Sequence, residues 1–255
     1  MESIIPALFP LTYFALLLAE RLLGGRRFPK VRWWIPKGIL FFFIGGLINS
    51  TLPVALARVF AGHTLLDLSS LGLAGTVVAV IASTFVSYWL HRTFHRFSGL
   101  WRWTHQMHHS AERVDMAGFG YSHPFELLIA VGMTPLVASI IGVAPEAAML
   151  AGYLTFVLGL VEHFNVKTPQ WLGYIVQRPE MHCVHHERGV HAYNYGLPLW
   201  DMLFGTLRNP KAWSGQAGFW DGASKQTFAM LAGRDVAVPP HVAAVANAVP
   251  ERIAA

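Results

Sequence analysis

Five stretches of uncharged, mainly apolar residues alternate along the chain with short segments that carry the charges. The stretches are residues 3–19, 39–57, 71–90, 127–145 and 147–161. A helix that spans a bilayer needs about 20 mostly apolar residues, and the third stretch meets this length alone. Gly142 and Pro145 divide the last two stretches into a helical hairpin. Because helices satisfy their own backbone hydrogen bonds in lipid, the pattern predicts an all-α, multi-pass integral membrane protein.

The composition supports a membrane protein over a soluble one. Of the 255 residues, 54% are hydrophobic and 13% are charged, whereas about a quarter of the residues in soluble domains are charged. The net charge of +5 comes from basic residues beside the apolar stretches, which suits anionic lipid head groups. Since no basic stripe carries interleaved aromatic residues, no nucleic-acid partner is expected. The single cysteine, Cys183, excludes an internal disulfide, and we expect it to pack in the interior.

The distribution of basic residues predicts the orientation in the membrane. Six of them lie between the first and second stretches, whereas residues 62–70 contain no lysine or arginine. By the positive-inside rule, the first loop is then cytoplasmic, and so are the ends of the third and fifth helices and everything from Asn165 onward. The first stretch lacks a preceding basic residue, so a signal peptide is not expected. The predicted location is a bacterial inner membrane, or the endoplasmic reticulum in a eukaryote.

The histidines are the unusual feature of the composition. Nine of the thirteen have ligand spacing: one H-x-x-x-H pair, two H-x-x-H-H triplets and one residue at the end of the hairpin. They are His91, His95, His105, His108, His109, His163, His182, His185 and His186. Residues at i, i+3 and i+4 share one helix face, so each triplet is predicted to direct three imidazoles at one place. One zinc takes about four ligands, so nine histidines favour two metal ions with four or five nitrogens each.

Other polar residues near these motifs have weaker signals. His63 and His241 have no ligand-spaced neighbours and are predicted to have no role in the site. Glu162 and Glu187 adjoin ligand histidines and are expected on solvated faces, with entry of a carboxylate into a metal shell as the alternative.

Four further residues are candidates for orienting the ligands from outside the coordination sphere. His123 either caps the fourth membrane helix or supports the site, and His191 follows the last triplet by five residues. Asn194 and Asp201 are predicted to brace the last triplet, although packing alone also explains them.

Several motifs occur together in an order that identifies a family resemblance. They are HRTFH from His91, LWRWTHQMHHS from Leu100, HPFE from His123, EHFN from Glu162, PEMHCVHH from Pro179, NYG from Asn194 and WDMLFGT from Trp200. Over roughly residues 80–208, this series resembles the fatty acid hydroxylase superfamily, which includes sterol desaturases, sterol methyl oxidases and alkylglycerol monooxygenase. The resemblance implies a helical membrane fold with a cytoplasmic di-iron site, held by the nine histidines, that oxidises a lipid C–H bond with dioxygen.

The metal and the reaction are not determined by spacing. Imidazole suits iron, zinc and copper alike, so two iron ions are implied by the resemblance, and zinc is able to replace them. An unactivated C–H bond requires a redox metal, because no side chain supplies such an oxidant. The chain has no flavin or nicotinamide fingerprint, so an external electron donor protein is expected.

Three functions are compatible with this pattern. The leading hypothesis is a lipid hydroxylase, and a lipid or sterol desaturase would use the same site. A metal transporter or non-catalytic metal-binding membrane protein is disfavoured, because the predicted spans hold almost no ionisable residues. We divide the chain into N-terminal membrane helices (1–62), a catalytic domain (63–210) and a C-terminal tail (211–255) without a usable motif.

Overall fold

The computed structural model describes residues 4–61 and 63–239, and within them the regular structure is helical. The α-helices are α1 (Ile5–Leu23), α2 (Trp34–Val59), α3 (Gly75–Arg96), α4 (Ser98–Trp103), α5 (Gln106–His109), α6 (Pro124–Ile141), α7 (Pro145–His163), α8 (Pro179–His185), α9 (Pro198–Leu203) and α10 (Thr227–Leu231). Short 3₁₀ helices cover Ser69–Ala74, Gln170–Tyr174 and Ala223–Lys225. His241 lies outside the described residues.

Helices α1, α2, α3, α6 and α7 are long and apolar enough to cross a membrane, which confirms the five predicted spans. Each extends beyond its uncharged stretch by residues whose charged side chains either reach water, as Arg58 of α2 does, or bond within the protein, as Glu126 of α6 does. In α3 this extension adds the turn that carries His91 and His95. Gly142 ends α6 with φ 68° and Pro145 occupies the first turn of α7, so the predicted hairpin is confirmed.

The membrane helices pack through a small interior and expose apolar side chains outward. Helix α2 packs against α6, α3 packs against both α6 and α7, and α1 packs against α7. Between α1 and α2 the rings of Tyr13 and Phe42 stack with centroids 3.9 Å apart. Many large apolar residues remain exposed, including Leu47 at 69% and Val77 at 67%. Such a surface suits lipid, and the protein is an integral membrane protein.

The two ends of the helix bundle are built from different segments. At one end the backbone of Leu65 donates to the carbonyl of Ile140 at 2.8 Å. At the other end the first loop meets the histidine-rich segments, where the Trp34 indole donates to Asp115 at 2.8 Å and the Arg26 backbone donates to the Asn165 side chain at 2.9 Å. The first loop and the histidine segments therefore share one end, as predicted. Its assignment to the cytoplasm stays a prediction.

Residues 211–239 pack against the segment that carries the first histidine triplet, a placement that no sequence motif indicated. Glu112 accepts hydrogen bonds from the backbone of Gly222 at 2.7 Å and from the hydroxyl of Ser224 at 2.5 Å. The side chain of Gln106 accepts from the backbone of Val236 at 3.0 Å. This part of the tail therefore closes over the histidine end of the bundle.

Candidate metal centre

Four helical segments deliver the nine predicted histidines to one end of the bundle. His91 and His95 lie in the last turn of α3, and His163 is the last residue of α7. The triplets lie on α5 and α8 and on the residues that flank these two short helices. The histidines form two groups, and in each group the ligand atoms lie within 4.8 Å of one another. The first group is His91, His95, His105, His109 and His185, and the second is His108, His163, His182 and His186.

The prediction that each triplet points at one place is wrong, because each triplet is divided between the two groups. His105 and His109 join the first group, whereas His108 joins the second. On an α-helix, with about 3.6 residues per turn, positions i+3 and i+4 point about 100° apart. One H-x-x-H-H motif therefore serves two adjacent sites. The rings of His109 and His186 stack with centroids 4.1 Å apart and form part of the boundary between the sites.

In the five-histidine group the Nε2 atoms converge. The Nε2 of His105 lies 2.7 Å from that of His91 and 2.9 Å from that of His109. The Nε2 of His185 lies 3.0 Å from that of His109. Adjacent ligands of an octahedral ion, each about 2.1 Å from the metal, lie about 3 Å apart. The spacing therefore fits nitrogens arranged around one metal ion.

The four-histidine group has the same geometry. The Nε2 of His163 lies 3.2 Å from that of His108 and 3.1 Å from that of His182. The Nε2 atoms of His182 and His186 are 3.0 Å apart. The chain thus contains two adjoining clusters that can hold metal ions through imidazole alone.

The tautomers of three histidines support metal binding over mutual hydrogen bonding. The Nδ1 of His91 lies 2.7 Å from the carbonyl oxygen of Tyr195, and the Nδ1 of His185 lies 2.7 Å from that of Tyr193. A carbonyl only accepts, so each Nδ1 carries the proton and each Nε2 presents a lone pair. The Nδ1 of His163 likewise donates to the carbonyl of Gly159 at 3.0 Å. Lone pairs that converge in a buried space are stabilised by a cation, and this donor set fits a metal.

His95 gives a second observation that fits a metal ion in the five-histidine group. Its Nε2 is buried without a hydrogen-bond partner among the described residues. Its ring packs edge-on against His105 at 4.9 Å and His109 at 4.7 Å. A buried polar atom without a partner is costly, and a metal ion at the centre of the group would remove that cost.

Burial keeps the imidazoles outside the membrane helices in the neutral form that binds metal. It lowers the pKa of His108 to about 4, and it lowers the pKa of His185 and His186 well below the ordinary value. Neighbouring histidines lower the pKa of His185 and His186 further. These side chains need not release a proton near neutral pH before they bind a metal.

The segment 191–196 supports both histidine groups through its backbone. Besides the carbonyls of Tyr193 and Tyr195, the carbonyl of Asn194 accepts from Gln177, whose amide nitrogen lies 3.0 Å from the Nδ1 of His182. His191, Tyr193 and Asn194 have φ values of 40°, 68° and 48°. Such left-handed non-glycine residues are strained and persist where the surroundings hold them.

The residues predicted to support the site hold this segment in different ways. Asp201 accepts from the backbone of Tyr195 at 2.9 Å, and Asn194 donates to the carbonyls of Met181 at 2.8 Å and Arg208 at 2.9 Å. The Nδ1 of His191 lies 2.9 Å from the Nδ1 of His109. These contacts place three of the four candidates beside the histidine groups or the segment that supports them.

His123 caps the fourth membrane helix, α6, which is the other role that was predicted for it. Its Nδ1 accepts from the backbone of Phe125 at 3.2 Å, which caps α6, and its Nε2 lies 3.5 Å from the carbonyl of Leu231. His63 is exposed at the opposite end of the bundle, where its ring lies 2.9 Å from the carbonyl of Ala61.

The two glutamates next to ligand histidines and the single cysteine differ in how deeply they are buried. Glu162 is partly buried, with its carboxylate oxygens 3.9 Å from the Nδ1 atoms of His163 and His182. Glu187 accepts from the Trp213 indole at 3.0 Å. Both side chains stay partly exposed: Glu162 lies beside the four-histidine group, whereas Glu187 bonds to Trp213 and has no contact with either group among the described residues. Cys183 is fully buried in a small apolar cluster, as predicted.

Sequence reasoning gave no role to Glu126, although the HPFE motif contains it. The Glu126 carboxylate makes a short contact with the Nδ1 of His105. The other nitrogen of His105 is one of the converging Nε2 atoms, so Glu126 completes a carboxylate–imidazole arrangement like those that orient metal ligands elsewhere. The available signal was the position of Glu126 in the first turn of α6, which points it toward the histidine end.

Residues 76–206 match the family model described as fatty acid hydroxylase. The chain belongs to this family. The match covers α3 to α9, and therefore all nine histidines of the two groups. The resemblance inferred from the motifs is confirmed.

Known relatives agree with this assignment. The chain is 30% identical over 180 residues to an ornithine lipid hydroxylase, OlsE, of Rhizobium tropici, covering 66% of this chain and 53% of the relative. It is 24% identical over 203 residues to a very-long-chain aldehyde decarbonylase, GL1-6, of Oryza sativa subsp. indica, covering 74% of this chain and 31% of the relative. The chain thus spans about half or less of these relatives. No solved structure matches at comparable significance.

Proposed function

We propose that this protein is a membrane-bound di-iron oxygenase that hydroxylates a C–H bond of a membrane lipid with dioxygen. The observation that carries the proposal is the pair of adjoining, all-imidazole groups at one end of five apolar helices. Membership of the fatty acid hydroxylase family favours oxidation over metal transport or passive metal binding. All nine grouped histidines are proposed as ligands, with one iron held by each group.

The bound irons would supply the activation of dioxygen and the oxidation of the C–H bond. One oxygen atom would enter the lipid and the other would leave as water, with the electrons delivered by a separate donor protein. We place the site on the cytoplasmic side, because the first loop at the same end carries six basic residues.

The chain's own residues hold the ligands and exclude water. The carbonyls of Tyr193 and Tyr195 keep the protons of His185 and His91 on Nδ1, so that each Nε2 faces the centre of its group. Glu126 holds His105 in the same manner from the membrane side. Because His105 and His109 are almost completely buried, bulk water does not compete for these two ligand positions.

The membrane-facing surface suggests the class of substrate. Helices α3 and α7, which carry three of the proposed ligands, continue into the exposed apolar surface of the bundle, so a lipid would approach laterally from the bilayer. The relative from Rhizobium tropici is named for hydroxylation of ornithine lipid. We therefore propose an acyl chain of a polar membrane lipid as the substrate.

The test compares the lipids of cells that express the protein with those of cells that express the His105→Ala variant. We expect lipids heavier by one oxygen in the first culture alone. The purified, iron-loaded protein should then place one atom of labelled oxygen gas in the lipid when an electron donor is present. Label found in water alone, with loss of two hydrogens from the lipid, would identify a desaturase.

The substrate panel should include long-chain aldehydes, because several rice relatives are named as aldehyde decarbonylases. Shortening of an aldehyde without oxidation of any lipid would replace hydroxylation as the function. If no oxygen is consumed with any member of the panel, the enzyme proposal fails.

A further inference from the structure

Helix α9 lies beside a membrane span although it belongs to the segment that follows the last histidine triplet. The indole of Trp200 donates to the hydroxyl of Thr84 on α3 at 3.1 Å, and its ring lies 5.0 Å from that of Phe85. Just beyond α9, the ring of Phe204 stacks on Tyr88 with centroids 5.3 Å apart. The contacts of α9 therefore follow α3 away from its histidine end.

The position of Thr84 along α3 gives the depth of this contact. Thr84 precedes His91 by seven residues, which at 1.5 Å per residue is a distance of about 10 Å toward the opposite membrane face. Thr84 also lies within the uncharged stretch 71–90 of this span. The ring of Trp200 therefore lies beside the apolar part of this span, about 9 Å inside the end of that stretch.

The outward face of α9 has the side chains that such a depth requires. Leu199 and Met202 are each 43% exposed, and Leu203 is 65% exposed. In residues 196–205 the charged residue is Asp201, which is completely buried. Nothing charged in this segment faces outward, and the exposed side chains adjoin the lipid-facing surface of α3.

Several backbone groups of this segment are paired within the protein, which favours insertion into lipid, where an unpaired polar group is costly. Asp201 accepts from the backbone of Gly196 at 3.2 Å and from the hydroxyl of Thr206 at 2.6 Å. Its own carbonyl accepts from the backbone of Thr206 at 2.8 Å. Asp201 thus closes the two ends of the segment onto each other inside the protein.

We propose that residues 196–205 form a re-entrant element whose exposed face contacts the acyl chains of the bilayer. The segment enters the membrane beside α3 and returns on the same side, so the five-span topology is unchanged. The 3₁₀ helix Gln170–Tyr174, which packs against α9, would lie at the head-group level. Its exposed Trp171 and Tyr174 are the residue types found there.

The alternative occupants of this face are water and a second copy of the chain. The apolar composition and the depth along α3 favour lipid over water. Continuity with the exposed surface of α3 favours lipid over a second copy, because the span itself must be covered by acyl chains. This proposal does not depend on the reaction that the protein catalyses.

The test attaches a nitroxide to a cysteine at Leu203 or Leu199 in zinc-loaded protein in phosphatidylcholine nanodiscs. Zinc is diamagnetic and binds imidazole, so the metal centre does not relax the label. Cys183 is buried and is replaced by alanine to exclude background labelling. Labels at Val78, on the lipid face of α3, and at Lys211, which is exposed and charged, are the membrane and water references.

We expect both α9 labels to relax faster with oxygen than with a water-soluble nickel chelate, as the Val78 label does. At both α9 sites, the depth parameter should lie much closer to its value at Val78 than to its value at Lys211. Values at both sites equal to that of Lys211 would overturn the proposal. Dipolar broadening between labels, which disappears when labelled chains are diluted with unlabelled ones, would assign the face to a second copy instead. Agreement between the two sites guards against a local disturbance by either label.

Discussion

The Nε2 atoms of His91 and His185 lie 2.9 Å apart, yet neither nitrogen carries a proton for the other. Each ring gives its proton to a backbone carbonyl, that of Tyr195 or Tyr193. Two lone pairs held this close in a buried site repel each other unless a cation lies between them. The backbone of the strained segment 191–196 therefore fixes two converging lone pairs that a bound cation would stabilise.

The first prediction is that metal removal destabilises the protein. Extraction of the metal with a chelator in detergent should lower the thermal unfolding midpoint, because the converging lone pairs lose their counter-charge. A ligand present at about 1,000 times its dissociation constant stabilises the folded state by about 4 kcal/mol. Thermal unfolding followed by fluorescence before chelation, after chelation and after return of zinc measures this effect. An unchanged midpoint in all three states would contradict a metal site.

The second prediction separates the two histidine groups. His163 belongs to the four-histidine group and His95 to the five-histidine group. We expect His163→Ala and His95→Ala each to lose metal mainly from the group concerned, lowering the metal content from two ions per chain toward one. Elemental analysis of the purified variants measures the ratio. The exposed His63→Ala is the matched control and should retain the wild-type content, whereas loss of all metal in both ligand variants would show that the sites bind as one unit.

The sequence alone predicted the spans and the ligands, because both depend on short-range patterns. An uncharged stretch such as 71–90 can form a membrane helix whatever surrounds it. The pair His91 and His95 shares one helix face by spacing alone. Convergence of each triplet on one place was predicted wrongly. Positions i+3 and i+4 point about 100° apart, and α5 and α8 meet with the rings of His109 and His186 stacked between the two groups.

Short-range patterns could not predict hydrogen-bond partners that only tertiary packing brings together. Glu126 is 21 residues from His105, and no periodicity connects the two. The contacts of the Tyr193 and Tyr195 backbone carbonyls cannot be predicted from the spacing of side chains along the sequence. The tail residues that bond to Glu112 lie more than 100 residues away from it, so no local motif connects the two.

The third prediction concerns the closure of the tail over the histidine end. Replacement of Glu112 by alanine removes the acceptor for the backbone of Gly222 and for the hydroxyl of Ser224. Hydrogen bonds to a charged acceptor are each worth about 1.5–3 kcal/mol, so we expect a clear loss of stability. Hydrogen exchange in residues 217–236 should become faster. If hydrogen exchange in Glu112→Ala is no faster than in the wild type, the tail is held by apolar contacts alone.

The fourth prediction tests the arrangement of the two ends of the bundle. Cysteines at Arg27 and Lys211 lie at the histidine end, whereas a cysteine at Leu65 lies at the other end and is 82% exposed. In intact bacterial cells, an impermeant thiol reagent should label Leu65→Cys and leave the other two unlabelled until the membrane is opened. Because native Cys183 is buried, it should contribute little background. Labelling of Arg27→Cys from outside would reverse the orientation.

The fifth prediction concerns Glu126 as a positioning residue for His105. The Glu126→Gln variant keeps the shape of the side chain but removes the negative charge that holds the Nδ1 proton of His105. Loss of such a partner lowers metal affinity by about 10–100-fold in other proteins. We expect a competing chelator to remove metal from the five-histidine group of this variant at a correspondingly lower concentration.

The four-histidine group supplies an internal comparison, because Glu126 is bonded to His105 of the other group and acts on His108 through its charge without a bond. Its metal should leave at a chelator concentration closer to that of the wild type, so the titration should separate into two phases. Glu146→Gln, in the first turn of α7 at the opposite end of the bundle, controls for loss of a membrane-helix carboxylate and should titrate like the wild type. A purely structural defect in Glu126→Gln would shift both phases and the unfolding midpoint together. An unchanged five-histidine phase would show that His105 is positioned without Glu126.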